Sequence, residues 1–300
     1  MNRWFLVFSL WFLVAGNAAA FDACSKNYKP IAQTYKTGVA FIVQKCGGLP
    51  NVIIGTMHSD DPKLLEMHKA SLPIIKSSKS ALFEIKFDAD AMKKTLSAMY
   101  YPAQSGLTLK NVVGAELYQR FDSVAKHQDP AQERLKPWAA AVMLQYPQDV
   151  ADGVALDMRL QNIAKEKGVN VVGLEKPLEQ LNIFDSLPKE EQVTMLKDAL
   201  DNLKPNGSIQ LKMQIAYEAK NLNDLYGLVG ETINLSSNKA SAKELMKKML
   251  YDRNIKMAER MNQYFEKGNA FVAIGALHLP SSEGVLSLLE SKGYKIGVLY

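Results

Sequence analysis

Two of the four histidines in this chain occur in the same local setting. Gly55-Thr56-Met57-His58 follows the apolar run Val52-Ile53-Ile54, and Gly275-Ala276-Leu277-His278 follows Phe271-Val272-Ala273-Ile274. A short apolar run closed by glycine predicts a buried strand. Each imidazole is therefore expected just past a strand end, where parallel α/β sheets collect their ligands. Two more strand-like runs bring carboxylates: Ala81-Leu82-Phe83-Glu84-Ile85 carries Glu84, and Val169 to Leu174 leads directly into Glu175. If the four strands lie side by side in parallel, His58, Glu84, Glu175 and His278 emerge at one sheet edge. Neutral imidazoles and carboxylates converging on one point, with a coordination position left open, are what a hydrolytic metal centre requires.

Each of these residues also has a structural alternative. A lone histidine after a strand is more often a packed side chain than a ligand, and the case for His58 and His278 rests on their shared frame. Strand alternation can turn Glu84 to solvent, although its apolar neighbours predict a buried strand and hence a carboxylate that needs a partner. Glu175 suits the start of the next helix, where a negative charge is favourable. His68, in a helical pattern, and His127, in Lys126-His127-Gln128-Asp129, read as structural or solvated. The chain has no His-Glu-x-x-His, no Gly-x-Ser-x-Gly and no phosphate-cradling glycine loop, so the common metalloprotease, serine hydrolase and nucleotide-binding signatures are missing.

The elements that must position these groups read as α/β at both ends. Strands are predicted at 38–44 and 52–54, then a helix from Pro62 to about Ser77 capped by Asp61, then the Glu84 strand. The middle is mainly helical, with segments at 90–99, 115–126, 137–144 and 155–167, the last ended by Gly168 before the Glu175 strand. Helices are predicted from Pro177 and Pro188, and from Ile209 to Phe265 with polar breaks at Asn221–Asn223 and Leu235–Asn238. The chain then returns to strand, helix and strand over 271–299. The predicted class is α/β (α+β): a central mixed sheet from the N- and C-terminal segments with a large helical middle, forming one domain over 21–300. Most methionines fall on apolar helical faces and read as core.

A composition of 47% hydrophobic and 22% charged residues over 300 residues is globular. The formal charge of +5 comes from scattered lysines, not a basic block, so nucleic acid is not an expected partner. Residues 1–20 read as a secretory signal peptide: Asn2-Arg3, an apolar stretch from Trp4 to Ala15, and a small-residue cleavage site ending at Ala20. The apolar stretch is short for a membrane span, so the expected location is periplasmic or secreted, with no stable span after cleavage. An uncleaved anchor is the alternative. The only two cysteines, Cys24 and Cys46, lie near the mature N-terminus. In an oxidising compartment they are expected to pair, closing a loop of about twenty residues worth about 3 kcal/mol.

Gly55-Thr56-Met57-His58-Ser59-Asp60-Asp61-Pro62 resembles the first signature of the TraB/GumN family, which includes PrgY-like proteins and is related to the Tiki proteases. Gly275-Ala276-Leu277-His278 with Gly284, Leu288-Leu289 and Gly293-Tyr294 resembles its closing signature. Leu156-Asp157-Met158 to Ala164, then Val171 to Glu175 and Glu179-Gln180, resemble its central segment, and Asp252-Arg253-Asn254 with Met257-Ala258 its penultimate helix. The resemblance implies a single domain in which the two Gly-x-x-His motifs form one site. From the Tiki branch it implies metal-dependent peptide cleavage with a manganese- or cobalt-like ion in preference to zinc. His58, His278 and Glu84 would then hold the metal, with Glu84 a ligand or the general base. Arg253 would stabilise an oxyanion or hold a substrate carboxylate, unless it is a plain helix charge. Asn254 matches the second residue of that polar pair, and Glu175 would be an outer or alternative ligand. The expected function is an exported, peptidase-like metal-dependent hydrolase acting on a peptide or protein. The alternative is a non-catalytic protein that sequesters a peptide or a haem-like ligand.

Overall fold

In the computed structural model, Asn51–Thr56 is buried along its whole length, as its β-branched run requires of a central strand. The structure describes residues 21–30, 37–125, 130–144, 155–203 and 209–300; the expected signal peptide and His127 lie outside them. The fold is mixed α/β. Strands β1 (Ala40–Gln44), β2 (Asn51–Thr56), β3 (Ser80–Ile85), β4 (Asn170–Glu175), β5 (Ala270–Gly275) and β6 (Lys295–Val298) form one sheet in the order β4-β3-β5-β2-β1-β6. The first four in that order run parallel, whereas β1 is antiparallel to β2, and β6 to β1. Thus the four strands that carry the candidate residues are neighbours with a common direction. Thr56 lies opposite Gly275, and Ile85 opposite Glu175, so their C-terminal ends are nearly level.

The apolar side chains gather in two clusters. The larger includes Ile53, Ile54, Leu82, Phe83, Phe271 and Val272 of the sheet, and Met257, Met261 and Leu286 of the helices covering it. Burying each large aliphatic side chain contributes roughly 1.5–3 kcal/mol. The smaller sits in the helical middle around Leu109, Phe121, Trp138 and Leu196. Its rim is fastened by Asp185, which accepts from Lys136 Nζ at 2.7 Å and Trp138 Nε1 at 3.0 Å. Among the described residues no helix is long and apolar enough to cross a membrane.

Most predicted boundaries hold to within a few residues. Asp61 does cap the first helix, accepting from the Lys63 N–H at 2.9 Å with Pro62 in the first turn. That helix does not run on to Ser77. It stops at Met67, a 3₁₀ turn spans Lys69–Ser71, and a second helix covers Leu72–Ser77. Pro73, in the first turn of that second helix, has no N–H to give back to the Lys69 carbonyl, so one helix continued through it would lose a hydrogen bond. The long helical stretch breaks near both predicted places, where Asn221 and Asn238 cap the following helices.

Cys24 and Cys46 are bonded, with Cα atoms 4.6 Å apart and a sequence separation of 22. The pair ties the N-terminal segment to the end of β1. Unreduced protein is expected to have a mass two hydrogens below that of the dithiol. Replacing both cysteines with serine should lower the unfolding free energy by about 3 kcal/mol in denaturant melts. Equal melts would show that the loop constrains nothing.

Candidate functional site

Because β2 and β5 are adjacent and parallel, their Gly-x-x-His extensions leave the sheet side by side. Close approach explains both glycines. A Cβ on Gly55 would lie 2.8 Å from Leu279 Cδ1 and 3.0 Å from the Ala276 backbone, in the turn that delivers His278. A Cβ on Gly275 would lie 2.9 Å from Glu84 Oε1. Glycine is thus required where the two motifs touch each other and where the second meets the carboxylate.

His58 is half exposed, with 51% of its side-chain surface open, and its Nδ1 lies 2.9 Å from Oδ2 of the buried Asp157. The other Asp157 oxygen accepts from Thr56 Oγ1 at 2.5 Å. Thr56 and His58 come from the end of β2, whereas Asp157 opens the helix Leu156–Glu166, whose first N–H donates to the Ser59 carbonyl at 2.9 Å. The Asp157 carboxylate raises the His58 pKa to about 9, against the opposing effect of burial. Solvent over the exposed half of the ring screens that attraction.

Arg253 lies between two carboxylates. Its Nη2 donates to Glu84 Oε2 at 2.6 Å and to Glu175 Oε2 at 2.8 Å, Nε donates to Glu175 at 3.0 Å, and Nη1 donates to the Met249 carbonyl at 3.0 Å. All three side chains are nearly sealed, at 6%, 9% and 2% exposure for Arg253, Glu84 and Glu175. Gln180 Nε2 bridges the two carboxylates at 3.3 and 3.0 Å, and the Gly275 N–H donates to Glu84 Oε1 at 2.6 Å. Burial alone would raise the Glu84 carboxyl, but the Arg253 guanidinium, the protonated His58 and the Gly275 N–H hold it well below the usual carboxylate range. Each Arg253 nitrogen donates within the protein, so its guanidinium serves as the clamp of Glu84 and Glu175. It is not a solvated helix charge. The helix that carries it follows a π-helical segment, Lys247–Tyr251, in which the Asp252 N–H reaches back five residues to the Lys247 carbonyl.

His278 is buried, and its Nδ1 lies 2.6 Å from Asn254 Oδ1. Asn254 Nδ2 in turn donates to the Glu283 carbonyl at 2.8 Å, which fixes the amide with its oxygen toward the ring. His278 must therefore carry its proton on Nδ1, leaving a lone pair on Nε2. That atom is 3.7 Å from Glu84 Oε1, too far for a hydrogen bond. Burial first, with Arg253 adding, lowers the His278 pKa to about 3, so the ring is neutral near pH 7.

His68 is buried, not solvated. Its Nε2 lies 2.6 Å from the Tyr217 hydroxyl, which donates to the Gly55 carbonyl at 2.8 Å, and its Nδ1 lies 3.1 Å from the Tyr300 hydroxyl. This network braces the first motif from behind. Burial lowers the His68 pKa to about 4, keeping it neutral within the hydroxyl chain.

All of the sequence-predicted residues other than the cysteines thus meet at one edge of the sheet. Asp157, Thr56 and Gln180 were not singled out for it. Asp157 and Gln180 stand in helices with nothing local to mark them, although both fall in the segment that carries the family resemblance. For a divalent ion the donor chemistry fits: both imidazoles are held through Nδ1 by an oxygen, which leaves Nε2 for a metal, and the His278 Nε2 lone pair faces Glu84 with no proton between them. Among the described residues no three His, Cys, Asp or Glu side chains lie close enough together to hold an ion as they stand.

Residues 40–297 match the model of the TraB/PrgY/gumN family. No curated protein matches the chain, and no solved structure does.

The His58–Asp157 pair makes stability depend on pH. A histidine whose folded pKa is raised contributes fully below its unfolded value of about 6.5 and loses that contribution as pH rises through about 9. In Asp157→Asn the His58 ring should titrate back toward the ordinary histidine range by NMR, and stability between those pH values should flatten. A titration still near 9 would show that some other group holds the proton.

Proposed function

The chain belongs to the TraB/PrgY/gumN family, and on that premise we propose that it is an exported hydrolase, peptidase-like in substrate, working at the edge where β2, β5, β3 and β4 end. The observation that carries this reading is the pair of imidazoles, each anchored through Nδ1 to a buried oxygen acceptor and flanking an ionised, clamped carboxylate. Such a site costs stability and has polar atoms left over for a ligand.

His58 and His278, through Nε2, and Glu84 would hold a divalent ion, manganese or cobalt in preference to zinc. When bound, such an ion polarises a substrate carbonyl and makes a water more acidic. The chain's own residues prepare this. Asp157 orients His58, Asn254 keeps the His278 lone pair on Nε2, and Arg253 keeps Glu84 ionised and in place. His58 has a proton to lose before it can act as a ligand, so ion affinity should rise with pH.

A second reading, hydrolysis without an ion, is favoured by the half-exposed His58 set against the buried Asp157, the arrangement of a general acid–base residue with its orienting carboxylate. There His58 donates its Nε2 proton to the leaving group and takes one back from water. Residues 1–20 support export in either case.

The test is peptide-library cleavage by the mature protein, with manganese and after exhaustive chelation, beside His58→Ala, His278→Ala and Asp157→Asn. The metal reading expects activity only with the ion, and a loss of about 100-fold or more in both histidine variants. Equal cleavage after chelation favours the His58–Asp157 reading. Folded histidine variants that cleave like wild type would remove the site altogether. Stoichiometric peptide binding without turnover would mark a sequestering protein.

A further inference from the structure

The neutral His278 ring has one proton and two neighbours that compete for it. Asn254 Oδ1 lies 2.6 Å from Nδ1, and Glu84 Oε1 lies 3.7 Å from Nε2. A charged acceptor makes the stronger hydrogen bond, so a ring that closed on Glu84 with its proton on Nε2 is the competing state. To reach it, Asn254 has to turn its amide over and donate from Nδ2 to the bare Nδ1. The Glu283 carbonyl opposes that turn, because it accepts from Nδ2 at 2.8 Å. With the amide reversed, two oxygens would face each other there. Asn254 is buried, so water cannot relieve the mismatch.

The Glu283 carbonyl is held in turn by the segment that follows the second motif, Pro280 to Gly284. Ser281 has φ +83°, in the region that side chains disfavour. Its carbonyl accepts from the Gly284 N–H at 3.1 Å and from Ser287 Oγ at 2.6 Å, and its hydroxyl accepts from the Glu283 N–H at 3.2 Å. Gly284 has φ −76° and ψ 158°, which any residue adopts, so it is not there for backbone freedom. It is there for space. A Cβ would lie 2.1 Å from the Pro280 carbonyl oxygen and 2.3 Å from that of Leu279. Both are backbone atoms, and neither can swing aside. Relief would move the Glu283–Gly284 peptide, whose carbonyl holds Asn254, or Leu279–Pro280, which is joined directly to His278.

We propose that the turn from Pro280 to Gly284 is a tautomer lock for His278, with Gly284 as its positioning residue. While the turn is seated, Glu283 holds the Asn254 amide, Asn254 presents its oxygen to Nδ1, and the Nε2 lone pair stays open. When it is loosened, the amide reverses, the proton moves from Nδ1 to Nε2, and Glu84 accepts the new hydrogen bond. No proton is gained or lost; one changes nitrogen. The inference rests on the hydrolase reading for the use of that lone pair, but the tautomer can be observed without turnover.

Gly284→Ala would be compared with wild type at neutral pH by nitrogen NMR of protein carrying labelled histidine, in which protonated and bare ring nitrogens are told apart. Cleavage of a reporter peptide would be followed beside it. Wild type is expected to carry the His278 proton on Nδ1. Gly284→Ala should move it mainly to Nε2 and lower kcat about 10–100-fold. If Gly284→Ala does not fold, Ser287→Ala decides, since it frees the Ser281 carbonyl without adding bulk; it should show both forms. Wild type with the proton on Nε2 overturns the inference. So does a folded variant that melts lower yet keeps the proton on Nδ1, because the turn then serves only the fold. A switched tautomer with a wild type that cleaves nothing keeps the lock and defeats the hydrolase. A switched tautomer with cleavage unchanged keeps the lock and removes His278 from the chemistry.

Discussion

The buried guanidinium of Arg253 is the constraint around which the site is built. Taking one cation and two carboxylates out of water is costly, and only close multiple hydrogen bonding offsets it. Here Arg253 reaches Glu84 and Glu175 together, Gln180 spans both, and the Gly275 N–H adds a third donor, to Glu84. These contacts join β3, β4, β5 and two helices, so none of these elements shifts without breaking a buried charge contact. The cluster still holds two carboxylates to one guanidinium. That excess of negative charge sits beside the unprotonated Nε2 of His278, which lies 3.7 Å from Glu84 Oε1.

Around this cluster the two imidazoles are held in opposite states by their surroundings. His58 is half open to solvent and backed by a carboxylate, so it keeps its proton; His278 is sealed in beside Arg253 and backed by a neutral amide, so it loses it. Identical side chains at the same motif position therefore differ in charge at neutral pH. Separation of this kind is how acid and base roles arise from like residues.

Much of this could be read from the sequence, for physical reasons. The strands announced themselves because a central strand covered on both faces must be continuously apolar, as Val52–Ile54 and Phe271–Ile274 are. Their shared direction was an inference from sheet geometry, and the order β4-β3-β5-β2 bears it out. The glycines and histidines were legible because their spacing repeats. Asp157 was not, since an acidic residue in the first turn of a helix looks like any other there. Arg253 gave no sign of burial either, because its partners lie 78 and 169 residues away. The break at His68 was hidden within an unbroken helical pattern of apolar residues.

Strand order also governs when the site can exist during synthesis. β5 lies between β2 and β3, yet in the chain it comes only after β4 and the whole helical stretch that follows β4. Until it arrives, β2 and β3 each keep an open edge, and Glu84 lacks both its Gly275 partner and its His278 neighbour. Pairings across so many residues form slowly, and open edges invite association in the meantime. An incomplete chain can hold the first motif but not the second. The two histidine motifs are thereby kept from meeting until β5 has entered the sheet between β2 and β3.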